Sequence, residues 1–181
     1  LYIINTCAVT AEAEKKSQQT IARVRKFNEN AKIIVTGCAS QKVPQDFLKK
    51  KGVTLVTGAK SKDKILSMIE SEGVFIEDKD EYYEEFLPEK TDRTRAFIKV
   101  EDGCDNFCSY CVIPYLRGRV RSRKPENAVA EIIALSPLEA VITGINLSAY
   151  NYNGTGFKEL IDRLSGVDCR IRLGSLEVGV I

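Results

Sequence analysis

The stretch Ala96-Phe97-Ile98-Lys99-Val100-Glu101-Asp102-Gly103-Cys104-Asp105-Asn106-Phe107-Cys108-Ser109-Tyr110-Cys111 decides how the rest of the chain is read. Its first part, Phe97–Val100, is an extended apolar run that suits a buried strand. It passes at once into a loop carrying three thiols at the spacing C-x3-C-x2-C. Three soft thiolates this close in sequence can converge on one soft metal centre. An all-cysteine iron–sulfur cluster takes four thiolates, and here the local set stops at three. The chain has no histidine to complete it.

A cubane held by three cysteines keeps one iron open for a small chelating molecule. An amine and carboxylate pair, such as the methionine part of S-adenosylmethionine, suits that position, and the cofactor then carries the hard chemistry. Three blander readings stand beside it. Structural zinc prefers a closed tetrahedral set, usually from two paired motifs, and no second C-x2-C is present. A disulfide scaffold fits poorly with a chain of this size without secretory features. Buried or reactive free thiols are the third.

Working outward from the loop, strands and helices alternate on both sides. Before it, Leu1–Asn5 reads as a strand. A helix capped by Thr10, with Glu12 and Glu14 in its first turn, runs to about Asn28, and Ile21, Val24 and Phe27 mark one face. Ile33–Val35 is the next strand. Pro44 opens a short helix to about Lys50, Val53–Val56 is a third strand, and Ser61 starts a helix with Ile65, Met68 and Ile69 on one side. Beyond the loop come a helix from Pro125 to about Leu135, a strand Glu139–Thr143, a helix Phe157–Leu164 and a strand Arg170–Leu173. Such alternation argues for parallel sheets with crossover helices. Chemistry directly after a strand fits a β/α barrel, whose sites sit at strand C-terminal ends. The expected fold is therefore α/β: a parallel-sheet domain over 1–77, an acidic linker over 78–94, and the opening strands of a barrel over 95–181. Both ends read as internal to a longer protein, since the chain opens inside a strand pattern without an initiator Met.

Composition narrows the class. The 181 residues are 44% hydrophobic and 29% charged with a net charge of +2, so bulk electrostatics name no partner. No apolar run approaches membrane-spanning length and no signal peptide is visible. Six cysteines in such a chain point to a reducing, cytoplasmic setting and metal-type usage. No G-x-G-x-x-G or Walker sequence is present, which leaves little for a nucleotide-binding domain.

Other residues could carry chemistry. Cys7 and Cys38 each follow a strand, where open α/β sheets place their sites. They read either as paired metal ligands or as small buried hydrophobes. Cys169 reads as packing. Arg117, Arg119, Arg121, Arg123 and Lys124 form a cationic run beside Tyr115, either holding a phosphate or carboxylate or simply solvated. Gly144, at the end of a strand, lets backbone approach a ligand closely.

The segment Gly103–Cys111, with an aromatic residue before its last cysteine, resembles the radical S-adenosylmethionine motif. The longer stretch Phe97–Arg123 resembles the methylthiotransferases, which add a methylthio group to tRNA or to a ribosomal protein. Asn5-Thr6-Cys7 and Gly37-Cys38-Ala39-Ser40-Gln41 look like two of the three cysteine segments of that family's N-terminal domain, whose third cysteine would lie before Leu1. The resemblance implies two [4Fe–4S] clusters. Cys104, Cys108 and Cys111 would hold the one that cleaves S-adenosylmethionine, and Cys7 and Cys38 would serve the auxiliary one. It implies cofactor contacts at Tyr110, Arg123, Thr143, Gly144, Arg172, Ser175 and Glu177. Asn5–Ser17 and Pro114–Arg119 look most like the members acting on N6-threonylcarbamoyladenosine next to the tRNA anticodon. The rivals act on isopentenyladenosine in tRNA or on a ribosomal-protein aspartate, and an iron–sulfur or zinc module without turnover is the alternative of another class. The implied partners are tRNA, S-adenosylmethionine and an electron donor such as flavodoxin or ferredoxin, with no membrane. A piece of such an enzyme is by itself expected to be inactive.

Overall fold

Strand and helix alternate from the first residues onward in the computed structural model, which describes residues 1–60, 62–77, 83–85, 93–174 and 176–177. The chain divides into two compact units. One is Leu1–Lys79 together with Phe107–Arg117, and the other is Asp80–Asn106 together with Gly118–Ile181.

The first unit contains strands β1 (Tyr2–Thr6), β2 (Ile33–Gly37), β3 (Val53–Thr57) and β4 (Gly73–Phe75), in spatial order β1-β2-β3-β4 and parallel throughout. Helix α1 (Ala11–Phe27) starts where Thr10 accepts a hydrogen bond from the Ala13 amide, and its ends carry the charges its dipole favours, Glu12 and Glu14 first, Arg25 and Lys26 last. Helices α2 (Cys38–Lys42) and α3 (Pro44–Leu48) follow β2. β2 is buried along its whole length, as a central strand covered on both faces must be. Ile4, Ile21, Ile33, Val35, Phe47 and Val56 pack on one side of the sheet, and Ile34, Leu55 and Ile65 on the other.

Two expectations are corrected here. Phe27 is not on the buried face: it is the last residue of α1 and is 81% exposed, while Ile21 and Val24 pack inward. The helix expected from Ser61 is a single 3-10 turn, Lys62–Lys64, followed by turns; Ser61 itself lies outside the described residues. The bonds Met68 N–H to Ile65 O at 3.1 Å and Ser71 N–H to Met68 O at 2.9 Å close tight three-residue turns. Ile65, Met68 and Ile69 reach the sheet without a regular helix.

The second unit holds β5 (Arg95–Lys99), the short antiparallel pair β6 (Glu101–Asp102) and β7 (Arg121–Ser122), α5 (Pro125–Leu135), β8 (Glu139–Thr143), a second antiparallel pair β9 (Asn151–Tyr152) and β10 (Thr155–Gly156), α6 (Phe157–Leu164) and β11 (Arg170–Leu173). β5, β8 and β11 form a parallel sheet in the order β11-β8-β5. Ile98, Val100, Ala140 and Ile142 project to one face, where Ala128, Ile132, Leu160 and Leu164 of α5 and α6 cover them. Cys169 packs against the same core. The N-terminal parallel α/β arrangement is the one the sequence pattern predicts. Of the expected acidic linker, 78–82 and 86–92 lie outside the described residues; Glu84 is buried.

Candidate metal and cofactor site

In the first unit, the parallel register sets Thr6 opposite Gly37, so Cys7 and Cys38 leave neighbouring strands at the same sheet edge. Gly37 makes that closeness possible. It sits at φ +108°, and a Cβ there would lie 2.3 Å from the Thr6 carbonyl oxygen. Thr6 Oγ1 donates to the Thr36 carbonyl at 2.8 Å and accepts the Ser40 amide at 3.1 Å, which fixes the turn from β2 into α2. Cys38 is buried beside Ala59 and Leu116, with Ala8 and Val112 against them. Cys7 is half-buried, and its Sγ accepts the Val9 amide at 3.5 Å.

Residues 107–117 belong to this same unit, so Cys108, Tyr110 and Cys111 are carried with Cys7 and Cys38. Within it, helix α4 (Ile113–Arg117) brings Leu116 to the Cys38 cluster, and Arg117 Nε donates to Cys38 Sγ at 3.4 Å. Phe107, at φ +47°, meets Tyr115 edge to face at 5.5 Å. The Tyr110 side chain is exposed.

In the second unit, Cys104 is buried and its amide bonds the Gly118 carbonyl at 3.1 Å. Thr143 ends β8 and Gly144 follows it. Glu177 lies close by, its Oε2 accepting from Asn106 Nδ2 at 3.2 Å and from Asn146 Nδ2 at 3.4 Å. Three of the residues named from the sequence, Thr143, Gly144 and Glu177, are thus gathered at the strand C-terminal end. Arg172 is not with them. It pairs in register with Val141, and its Nη1 is 3.9 Å from Glu139 Oε1, nearer the other end of β8. Ser175 lies outside the described residues.

Three arginines of the cationic run have acidic partners within the chain. Arg119 pairs with Asp105 at 3.2 Å and Arg121 with Asp102 at 3.8 Å. Arg123 is buried and its guanidinium is engaged by Glu131 and by Glu85 at 2.8 Å. Burial pushes the Arg123 pKa down, and the hydrogen bonds and charges of Glu85 and Glu131 more than reverse it.

Glu101 escaped sequence reading. It reads as a polar end to a strand, yet it is wholly buried, and its Oε2 accepts the Asn146 amide at 2.6 Å. Burial pushes its carboxyl up to about 7, against the pull of the Asn146 and Ile145 amides. The signal was its place: an acid between Val100 and Asp102, inside the run that leads to the thiols.

All three loop cysteines are free, so the donor set on the loop matches a soft cluster in chemistry. Among the described residues, no three His, Cys, Asp or Glu side chains are drawn together closely enough to hold a metal ion. No helix among them is long and apolar enough to cross a membrane.

Residues 1–58 match the family model described as "Uncharacterized protein family UPF0004". Comparison with curated proteins matches nearly the whole chain to members of the methylthiotransferase family. Among these, the chain is similar to a threonylcarbamoyladenosine tRNA methylthiotransferase of Bacillus subtilis (strain 168), at 38% identity over 100% of this chain and 44% of the relative. The protein of the same name from Thermotoga maritima is 42% identical over 98% of this chain and 43% of its own length. A tRNA-2-methylthio-N(6)-dimethylallyladenosine synthase of Thermosipho africanus is 32% identical over 93% of this chain and 41% of its length. The chain thus spans less than half the length of these relatives.

Proposed function

We propose that this chain is part of a radical S-adenosylmethionine enzyme that adds a methylthio group to C2 of N6-threonylcarbamoyladenosine next to the anticodon of tRNA. The observation that carries the reading is the C-x3-C-x2-C loop of free thiols leaving the sheet at a strand C-terminal end, in a chain whose whole length matches methylthiotransferases. When bound, a [4Fe–4S] cluster with S-adenosylmethionine supplies one-electron cleavage of the sulfonium and hydrogen abstraction from the substrate.

The chain's own residues do the holding. Cys104, Cys108 and Cys111 are the thiolates for that cluster, and Cys7 and Cys38 are ligands toward an auxiliary cluster. The backbone at Thr143 and Gly144 and the Glu177 carboxylate face an amino-acid ligand at the strand end. Tyr110 is assigned to the cofactor as well. Arg123, Arg172 and Ser175 come from the family resemblance; the first two have acidic partners of their own. A flavodoxin or ferredoxin is the electron donor in this reading, and the protein is cytoplasmic.

The test is genetic and chemical. tRNA from cells lacking the gene should hold N6-threonylcarbamoyladenosine without its C2-methylthio form. The wild-type gene should restore that form and a Cys108→Ala version should not. Modification that persists in the deletion strain overturns the reading. Loss confined to methylthio-isopentenyladenosine moves the substrate to that base.

A further inference from the structure

We propose that Glu101 is a positioning residue, whose carboxylate holds the backbone of Gly144–Asn146 in place where β8 leaves the sheet. Its Oε2 accepts the amide of Asn146, forty-five residues further along, at 2.6 Å. Gly144 is packed so closely that a Cβ there would lie 2.8 Å from Glu101 Oε2 and 3.0 Å from Glu101 Cβ. The carboxylate is fully enclosed, and among the described residues its Oε1 has no hydrogen-bond partner. Folding alone does not call for such a group, because an apolar side chain fills buried space without leaving a polar atom unmatched. A half-satisfied acid is retained for the bond its other oxygen makes.

That bond reaches the candidate site. The Asn146 side chain, fixed through its Oδ1 by the Ser148 amide at 3.1 Å, donates to Glu177 Oε2 at 3.4 Å. The same Glu177 oxygen accepts from Asn106, which lies between Cys104 and Cys108. Glu101 thereby ties the strand that leads into the cysteine loop to the turn that carries Gly144. The inference rests on the proposed function only in treating that turn as the cofactor's seat. Glu101 touches no reacting atom in this arrangement. It acts through Asn146.

Two readouts test it. In the chain itself, backbone amide exchange at Asn146, followed by NMR, should speed up about tenfold or more in Glu101→Ala, since a bond to a buried carboxylate is lost. Glu101→Gln keeps an acceptor oxygen and should stay near wild type. Gly144→Ala, which leaves Glu101 present but drives it aside, should expose the same amide, and it serves if Glu101→Ala does not fold. Asn146 exchange unchanged in both alanine variants overturns the proposal. In the full-length enzyme, Glu101→Ala should raise the KM for S-adenosylmethionine several-fold at little cost in kcat, with Gln restoring it. An unchanged KM overturns the positioning role. If deletion of the gene leaves tRNA methylthiolation intact, the proposed function falls, while the amide exchange still judges Glu101.

Discussion

Replacing Arg123 by methionine removes a buried cation and leaves its acids behind. The Arg123 side chain is 4% exposed, Glu131 is 10% exposed and Glu85 is 36% exposed. Removing one partner of a buried pair costs about 3–5 kcal/mol, because the other charge stays enclosed without compensation. Glu85 can rehydrate, and its share is discounted to the level of a surface pair, at most about 1 kcal/mol. Its Oε1 also keeps Asn127 Nδ2 at 3.1 Å. Glu131 therefore carries most of the loss, and Arg123→Met should cost about 3 kcal/mol. At a urea slope of about 2 kcal/mol per molar, that lowers the unfolding midpoint by roughly 1.5 M. The bond from Tyr150 Oη to the Arg123 carbonyl at 2.6 Å runs through the backbone and survives the change. The double variant Arg123→Met, Glu131→Leu removes the stranded charge and should recover to within about 1 kcal/mol of wild type. Urea unfolding followed by circular dichroism at neutral pH decides it. A single variant that loses less than about 1 kcal/mol, or a double variant as weak as the single, refutes the reasoning and returns the Arg123 guanidinium to the pool of cofactor-binding groups.

Glu101 predicts a pH dependence. Its folded pKa of about 7 stands above the ordinary 4.5, so from about pH 4.5 to 7 the unfolded chain gives up a proton that the folded chain keeps. Stability should fall as pH rises through that window and level off above it, by up to about 3 kcal/mol from this group, with Asp102 adding to the effect of burial and the Asn146 and Ile145 amides and Arg121 opposing it. Urea midpoints at pH 5 and 7.5 should differ more in wild type than in Glu101→Gln; equal slopes dismiss the claim. Thr10→Ala should cost about 1 kcal/mol by removing the α1 cap, and Thr10→Asp should not, as read from thermal unfolding. Gly37→Ala should cost at least about 2 kcal/mol, since it combines a left-handed backbone with a clash against the Thr6 carbonyl. A variant of wild-type stability would show that β1 and β2 can shift apart.

The long periodic segments were legible from sequence. α1, α5, α6 and the strands β1, β2, β3, β5, β8 and β11 each carry enough apolar repeats, caps or β-branched residues to declare themselves. What escaped was short and set from outside. The five residues of α2 exist because Ser40 bonds back to Thr6, Gly37 and Thr57. The three residues of β4 exist because β3 offers an edge to pair with. The thiol loop was plain in the spacing of its cysteines. The cationic run was not, because Arg123 finds Glu131 eight residues away and Glu85 thirty-eight away, distances that no local pattern records. Glu101 was hidden for the same reason, its partner lying on another strand's exit loop.

The contact of Gly37 with Thr6 has a consequence for how this surface can drift. The interval between the two thiol-bearing exits is set by main-chain atoms of Gly37 and Thr6 and by the Thr6 hydroxyl that bonds Thr36 and Ser40. Mutations scattered over the outer faces of α1 or α3 should leave that interval as it is, and a single methyl group at one glycine should open it.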